Sequence, residues 1–198
     1  TATFSEAMAA APTIAIDTTG TDLAATAMTL GATNAIWTYS YNVPSGSDGT
    51  ATVTISGTDL AGHANQAATN NTFNIDNIAP TVALTYGIAN RPVRDADTLV
   101  ITATFSEAMA AAPTIAIDTS GTDLAAIAMT VTGGTDNKVW TRSYTVPAGS
   151  DGAATVTISG TDPATNPNQA ATNNTFNIDS TAPTLSAANV VGTTVQGW

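Results

Sequence analysis

The chain repeats itself, and this limits its folds more than any other feature. Residues 1–29 recur at 102–130 with 27 of 29 positions identical, and residues 37–80 recur at 140–183 with 34 of 44 identical. Between these blocks, seven residues (30–36) answer to nine (131–139), so the offset is 101 early and 103 late. A period near 100 is too long for a solenoid repeat and is the size of one small self-folding domain. The expected organisation is an incomplete domain over 1–78, a complete one over 79–180, and the start of a third, or a donated strand, over 181–198. Proline marks the joints. Ala79-Pro80-Thr81 and Ala182-Pro183-Thr184 each follow an Ile-Asp pair, and proline holds the residue before it extended, which suits a short stiff linker. The first copy has no counterpart of residues 80–101. The chain opens inside a predicted strand, without a leader segment ahead of it, and reads as a piece of a longer array.

Alternation with period two runs through the complete copy. Leu99, Ile101, Ala103 and Phe105 fall on one face, with Thr98, Thr102 and Thr104 on the other. Threonine is β-branched and fits a half-solvated pleated surface. Turn clusters such as Pro147-Ala148-Gly149-Ser150-Asp151-Gly152 separate the runs. Seven strands are predicted: 81–86, 98–105, 114–118, 124–131, 138–146, 153–159 and 172–178. Residues 107–112 (EAMAAA) read as a loop, with one helical turn as the alternative. Trp37, Trp140, Phe73 and Phe176 fall at core positions. Seven short strands in about 100 residues, without cysteine, predict an all-β chain of tandem immunoglobulin-like sandwiches with no disulfide.

Composition narrows the function. The 15 acidic and 4 basic residues give a net charge of −11, which disfavours nucleic acid and anionic lipid as partners. No apolar run approaches the roughly 20 residues of a membrane span. Cysteine is absent and His63 is the single histidine; Asn166 replaces it in the second copy. Glu6 and Glu107 are the same position twice. No catalytic triad or phosphate loop can be assembled in both copies, so the chain is not read as an enzyme.

The acids suggest a different chemistry. Strands alternate in direction, so the loops after the second, fourth and sixth strands should meet at one pole. These loops carry Glu107, Asp136, and Asp162 with Asn166 and Asn168, and the linker holding Asp76 enters there. At the opposite pole Asp95, Asp97 and Asp151 should approach Asp179. Hard oxygen donors gathered in this way suit Ca²⁺, which takes six to eight oxygens at about 2.3–2.6 Å. Asp76, Glu107, Asp162, Asn168, Asp95, Asp97 and Asp179 are the candidate ligands. Against this, Asp and Asn also favour turns by bonding their own backbone, and no D-x-D-x-D-G calcium loop is present. Asn70-Asn71-Thr72 and Asn173-Asn174-Thr175 match the glycosylation acceptor pattern, and both are read as structural strand residues.

Several strings occur in both copies: Thr-Val-Thr-Ile-Ser-Gly-Thr-Asp, Asn-Gln-Ala-Ala, Thr-Phe-Asn-Ile-Asp, Ala-Pro-Thr and Phe-Ser-Glu-Ala-Met. Together they resemble the tandem bacterial immunoglobulin-like repeats of large surface adhesins. The resemblance implies an extracellular stalk on the bacterial cell surface, with Ca²⁺ at domain junctions. A structural spacer is the function expected from it, with neighbouring repeats as partners. A carbohydrate- or protein-binding module is the alternative. A third expectation concerns assembly. Residues 184–198 correspond to the first strand of a further copy, roughly the piece the first copy lacks. Identical subunits could then join head to tail into a filament by strand donation, with Leu185, Val190, Val191 and Val195 as the inserted side chains.

Overall fold

A computed structural model describes residues 1–186 of the chain. The expectations for 187–198, including Val190, Val191 and Val195, lie outside the described residues. The chain divides between Ala79 and Pro80 into two compact units. Among the described residues there is no helix, and so none long enough to cross a membrane.

The first unit contains β1 (Ala2–Thr3), β2 (Thr13–Asp17), β3 (Leu23–Ala27), β4 (Thr29–Leu30), β5 (Ile36–Thr38), β6 (Gly49–Ser56) and β7 (Thr72–Ile75). They form a three-stranded sheet, β1-β5-β4, and a four-stranded sheet, β3-β2-β6-β7. The second unit contains β8 (Val82–Tyr86), β9 (Thr98–Phe105), β10 (Thr114–Asp118), β11 (Leu124–Ala128), β12 (Thr130–Val131), β13 (Val139–Thr145), β14 (Gly152–Ser159) and β15 (Thr175–Ile178). Its two four-stranded sheets run β12-β13-β9-β8 and β11-β10-β14-β15. All ladders between named strands are antiparallel.

Period-two patterning fixes which side of each strand is buried. On β9, Leu99, Ile101 and Ala103 are wholly buried and Phe105 nearly so, while Thr98 and Thr104 face out. Trp140 lies in the same core cluster as Ile115, Ile117 and Ile158, as the alternation requires. Its indole Nε1 donates to the Asn137 carbonyl at 2.9 Å, so the ring is buried without an orphaned donor.

Two expectations are corrected, and residues 107–112 form the loop expected of them rather than the alternative helical turn. The single strand predicted over 124–131 is two. β11 pairs with β10 in one sheet, β12 pairs with β13 in the other, and Met129 between them is buried. The Met129 N–H donates to the Pro113 carbonyl, which anchors the crossing, and Met28 repeats this with Pro12 in the first unit. The strand predicted from residue 172 starts at Thr175. Thr172 instead exchanges backbone bonds with β8, and Asn173 turns the chain in the left-handed region (φ 56°) before β15 begins. Residues 107–112 form no helical turn. The Met109 and Ala110 N–H groups bond the Asn137 and Thr161 carbonyls across the loops, so tertiary partners replace the helical ones.

A third correction concerns Phe73. Phe176 packs on Tyr86 and Tyr144 at centroid separations of 5.4 and 6.3 Å. Its counterpart Phe73 has only Tyr41, at 6.3 Å, and is 36% exposed rather than a core residue. In the second unit Tyr86 supplies the additional cover on Phe176.

Candidate functional site

In the second unit, the loops following β9, β12 and β14 are tied into one surface. The bonds from Met109 and Ala110 hold the first loop to the other two. Gly160 permits this approach, since a Cβ there would stand 2.9 Å from the buried Met109 Cε. Glu107 and Asp162 ride on these loops, and a carboxylate oxygen of each lies within 4.8 Å of the other. Asp162 has no exposed surface. Its Oδ1 accepts the Asn166 N–H and its Oδ2 accepts the Asn166 side-chain amide, both at 2.9 Å.

Asn168, also on this surface, acts as a backbone clamp. Its Oδ1 accepts the Gly160 N–H at 2.7 Å, and its Nδ2 donates to the Ile158 and Gln169 carbonyls. Asn65 makes the same three bonds in the first unit. The repeated Asn-Gln-Ala-Ala string is thereby explained as loop bracing. Asp136 closes a short turn by accepting the Lys138 N–H. Asp76 directly follows β7 in the first unit, where its Oδ1 accepts the Ile78 N–H.

His63 repeats the Asn166 brace with other atoms. Its Nδ1 lies 3.0 Å from Asp59 Oδ2, while its side chain is 79% exposed. The Asp59 carboxyl is held below its ordinary value, chiefly by the His63 backbone N–H. Imidazole in one copy and amide in the other do the same structural job.

The other set of acids is less uniform than its sequence suggests. Ser180 joins two of them. Its Oγ donates to Asp95 Oδ1 at 2.6 Å, and its N–H donates to Asp151 Oδ1 at 2.5 Å. Asp151 Oδ2 also accepts the Thr181 hydroxyl, and these contacts hold its carboxyl low, with the Ser180 N–H the largest cause. Asp179 accepts the Thr181 N–H. Asp97 is different. It meets Arg91 Nη1 at 2.6 Å, accepts the Arg94 N–H, and lies 3.8 Å from Arg94 Nε. The Arg91 guanidinium is the main reason its carboxyl is held down to about 2. A carboxylate already matched to a guanidinium has little to offer a cation. The spacing of Arg94 and Asp97 was the sequence signal for this pairing.

Carboxylate oxygens are donors of the kind a hard cation takes, and Glu107 and Asp162 are the pair this surface brings together. Sequence reasoning did not identify a second feature. The first unit has a groove of about 990 Å³ lined by Phe4, Met8, Ile14, Tyr41, Val53 and Phe73, among others. The second-unit counterparts of Phe4, Tyr41 and Val53 are Phe105, Tyr144 and Val156, all buried.

Comparison with protein-family models, with curated proteins and with solved structures returns no match.

Proposed function

We propose that the chain is a run of immunoglobulin-like spacer repeats from the extracellular stalk of a bacterial surface adhesin, without catalytic activity. The observation that carries this reading is the near-identity of two successive β-units, 27 of 29 and 34 of 44 positions, with the divergence concentrated in the loop stretches 30–36 against 131–139 and 60–64 against 163–167. Repeats that serve as length need not differ from one another, whereas a binding module gains specificity by varying its loops. The strand order β8-β9-β13-β12 against β11-β10-β14-β15 supports the immunoglobulin-like assignment. The resemblance of the repeated strings supports the extracellular setting.

This reading includes structural Ca²⁺ at Glu107 and Asp162, with Asp76 as the linker ligand expected from sequence. Ca²⁺ would offset carboxylate repulsion in a chain of net charge −11. A ligand that binds only the folded state raises its melting temperature. The 198-residue chain should therefore melt higher in Ca²⁺ than in chelator. Glu107→Gln should remove most of that difference, and Asp76→Ala measures the linker's share. Identical melting curves would refute the calcium component and leave the spacer component standing. The spacer itself is tested by a glycan and host-surface binding screen of the full chain. No binding is expected; saturable micromolar binding would favour the module reading instead.

A further inference from the structure

We propose that the free edge of β13, at Ser143 and Thr145, is a docking site for an extended peptide segment that is uncharged except for one carboxylate, which Arg142 receives. The edge arises from the crossing at Met129. The Lys138 carbonyl accepts the Phe105 N–H on the β9 side of the strand, and the Val139 carbonyl accepts the Thr132 N–H on the β12 side. Backbone groups alternate along an antiparallel strand. Even-numbered residues of β13 therefore turn theirs toward β9, and odd-numbered ones toward β12. β12 reaches only to Thr130, opposite Thr141, because the chain passes at Met129 into the other sheet. Among the described residues, no strand stands against Ser143 and Thr145 on that side. Both are exposed, and such N–H and C=O groups are a template for another strand.

Arg142 gives this edge its chemistry. It lies between Trp140 and Tyr144 on the core-facing side of β13, opposite the buried Ile101. Its Nε is buried without a hydrogen-bond partner. The other three basic side chains are engaged. Arg91 and Arg94 meet Asp97, and Lys138 Nζ donates to the Ser106 carbonyl at 3.1 Å. Arg142 forms no ion pair among the described residues. Asp123, whose charge reaches Tyr144, instead accepts the Thr119 N–H at 2.8 Å. Tyr144 shares the core-facing side two residues along. It is 5% exposed, and its hydroxyl is also buried without a partner. Two unpartnered polar groups thus accompany the free edge. The first copy carries Tyr39 at the Arg142 position, so the charge belongs to the second unit alone.

The occupant follows from these features. A strand added beside β13 bonds its backbone to Ser143 and Thr145. It also sets one side chain directly across from Arg142, at a Cβ separation of about 4.5–5.5 Å. A guanidinium takes a carboxylate through two parallel N–H donors, so a carboxylate at that place supplies the acceptor that Arg142 lacks. The net charge of −11 opposes a strongly acidic partner, and the rest of the segment is therefore uncharged. Every residue of the site belongs to the second unit. This inference goes beyond the spacer reading and rests neither on it nor on calcium, since a stalk repeat can also be gripped at an edge.

The test titrates the full chain with the peptide acetyl-Thr-Val-Thr-Asp-Thr-Val-Thr-amide and follows backbone amides by NMR. Saturable binding is expected, with shifts centred on residues 142–145 and slowed hydrogen exchange at Ser143 and Thr145. Replacing the peptide's Asp by Asn should weaken binding by about tenfold, the scale of one hydrogen-bonded charge contact. Arg142→Tyr installs the residue that the first copy carries, so it should keep the fold and bind the Asp and Asn peptides alike. Ser143→Pro removes an N–H that faces away from β9, at an edge where proline is tolerated. It should fold, as its melting curve checks, and bind neither peptide. Absence of peptide binding would overturn the proposal. So would an Asp preference that survives Arg142→Tyr, or shifts centred elsewhere. Sodium acetate binding as tightly as the peptide would also overturn it, because Arg142 would then be a bare anion contact with no added strand.

Discussion

Trp140 and Phe73 both occupy inward positions, yet their burial differs. Trp140 is 6% exposed with its indole nitrogen satisfied. Trp140→Ala should cost the second unit about 3–5 kcal/mol in chemical denaturation, the usual range for a large core aromatic. Phe73 and Phe176 share the string Thr-Phe-Asn-Ile, but only Phe176 is covered by Tyr86. Phe176→Ala should therefore destabilise its unit more than Phe73→Ala destabilises the first, as read by unit-resolved hydrogen exchange. Asp97 gives a pH prediction. Its folded carboxyl is held down to about 2, first by Arg91, while an unfolded Asp titrates near 3.9. A depressed carboxyl contributes full stability above its unfolded value and loses that contribution as pH falls through its folded value. Between about pH 4 and 2, wild-type chain should lose stability that Asp97→Asn does not. The difference should be modest and should shrink with added salt, because the pair is near the surface.

At the scale of the element, alternation located β9 and β10 to the residue, because a buried face forces a strict period of two. It could not show where β11 gives way to β12. Met129 keeps the alternation going while the chain changes sheets, and only the bond to Pro113 reveals the crossing. Strand direction brought Glu107 and Asp162 to one surface, since strands that reverse must put alternate loops together. The Ser180 bridge between Asp95 and Asp151 was not legible, because a single hydroxyl has no pattern. Asn168 was read as a ligand, but its amide is engaged with three backbone groups. Asn168→Ala leaves the half-buried Gly160 N–H and Ile158 carbonyl without this partner, a loss of about 1–3 kcal/mol. Denaturant unfolding should show a drop of that order in the second unit, with Asn65→Ala giving the matching drop in the first.

At the scale of the whole molecule, the two units are nearly one sequence but differ in how their apolar residues are covered among the described residues. The second has a closed core, whereas Phe4, Tyr41 and Val53 of the first border an open groove. Burial drives folding at about 25 cal/mol per Å² of apolar surface, so the first unit should melt well below the second. Calorimetry of the isolated chain should resolve two transitions, and a single one would show that the units unfold together. The claim that these repeats serve as length has one direct test. Arrays of two, four and six copies of residues 80–179 can be compared by small-angle scattering in Ca²⁺. The spacer account expects the maximum dimension to grow in proportion to copy number. A dimension that levels off as copies are added would mean the repeats collapse on one another, and would contradict it.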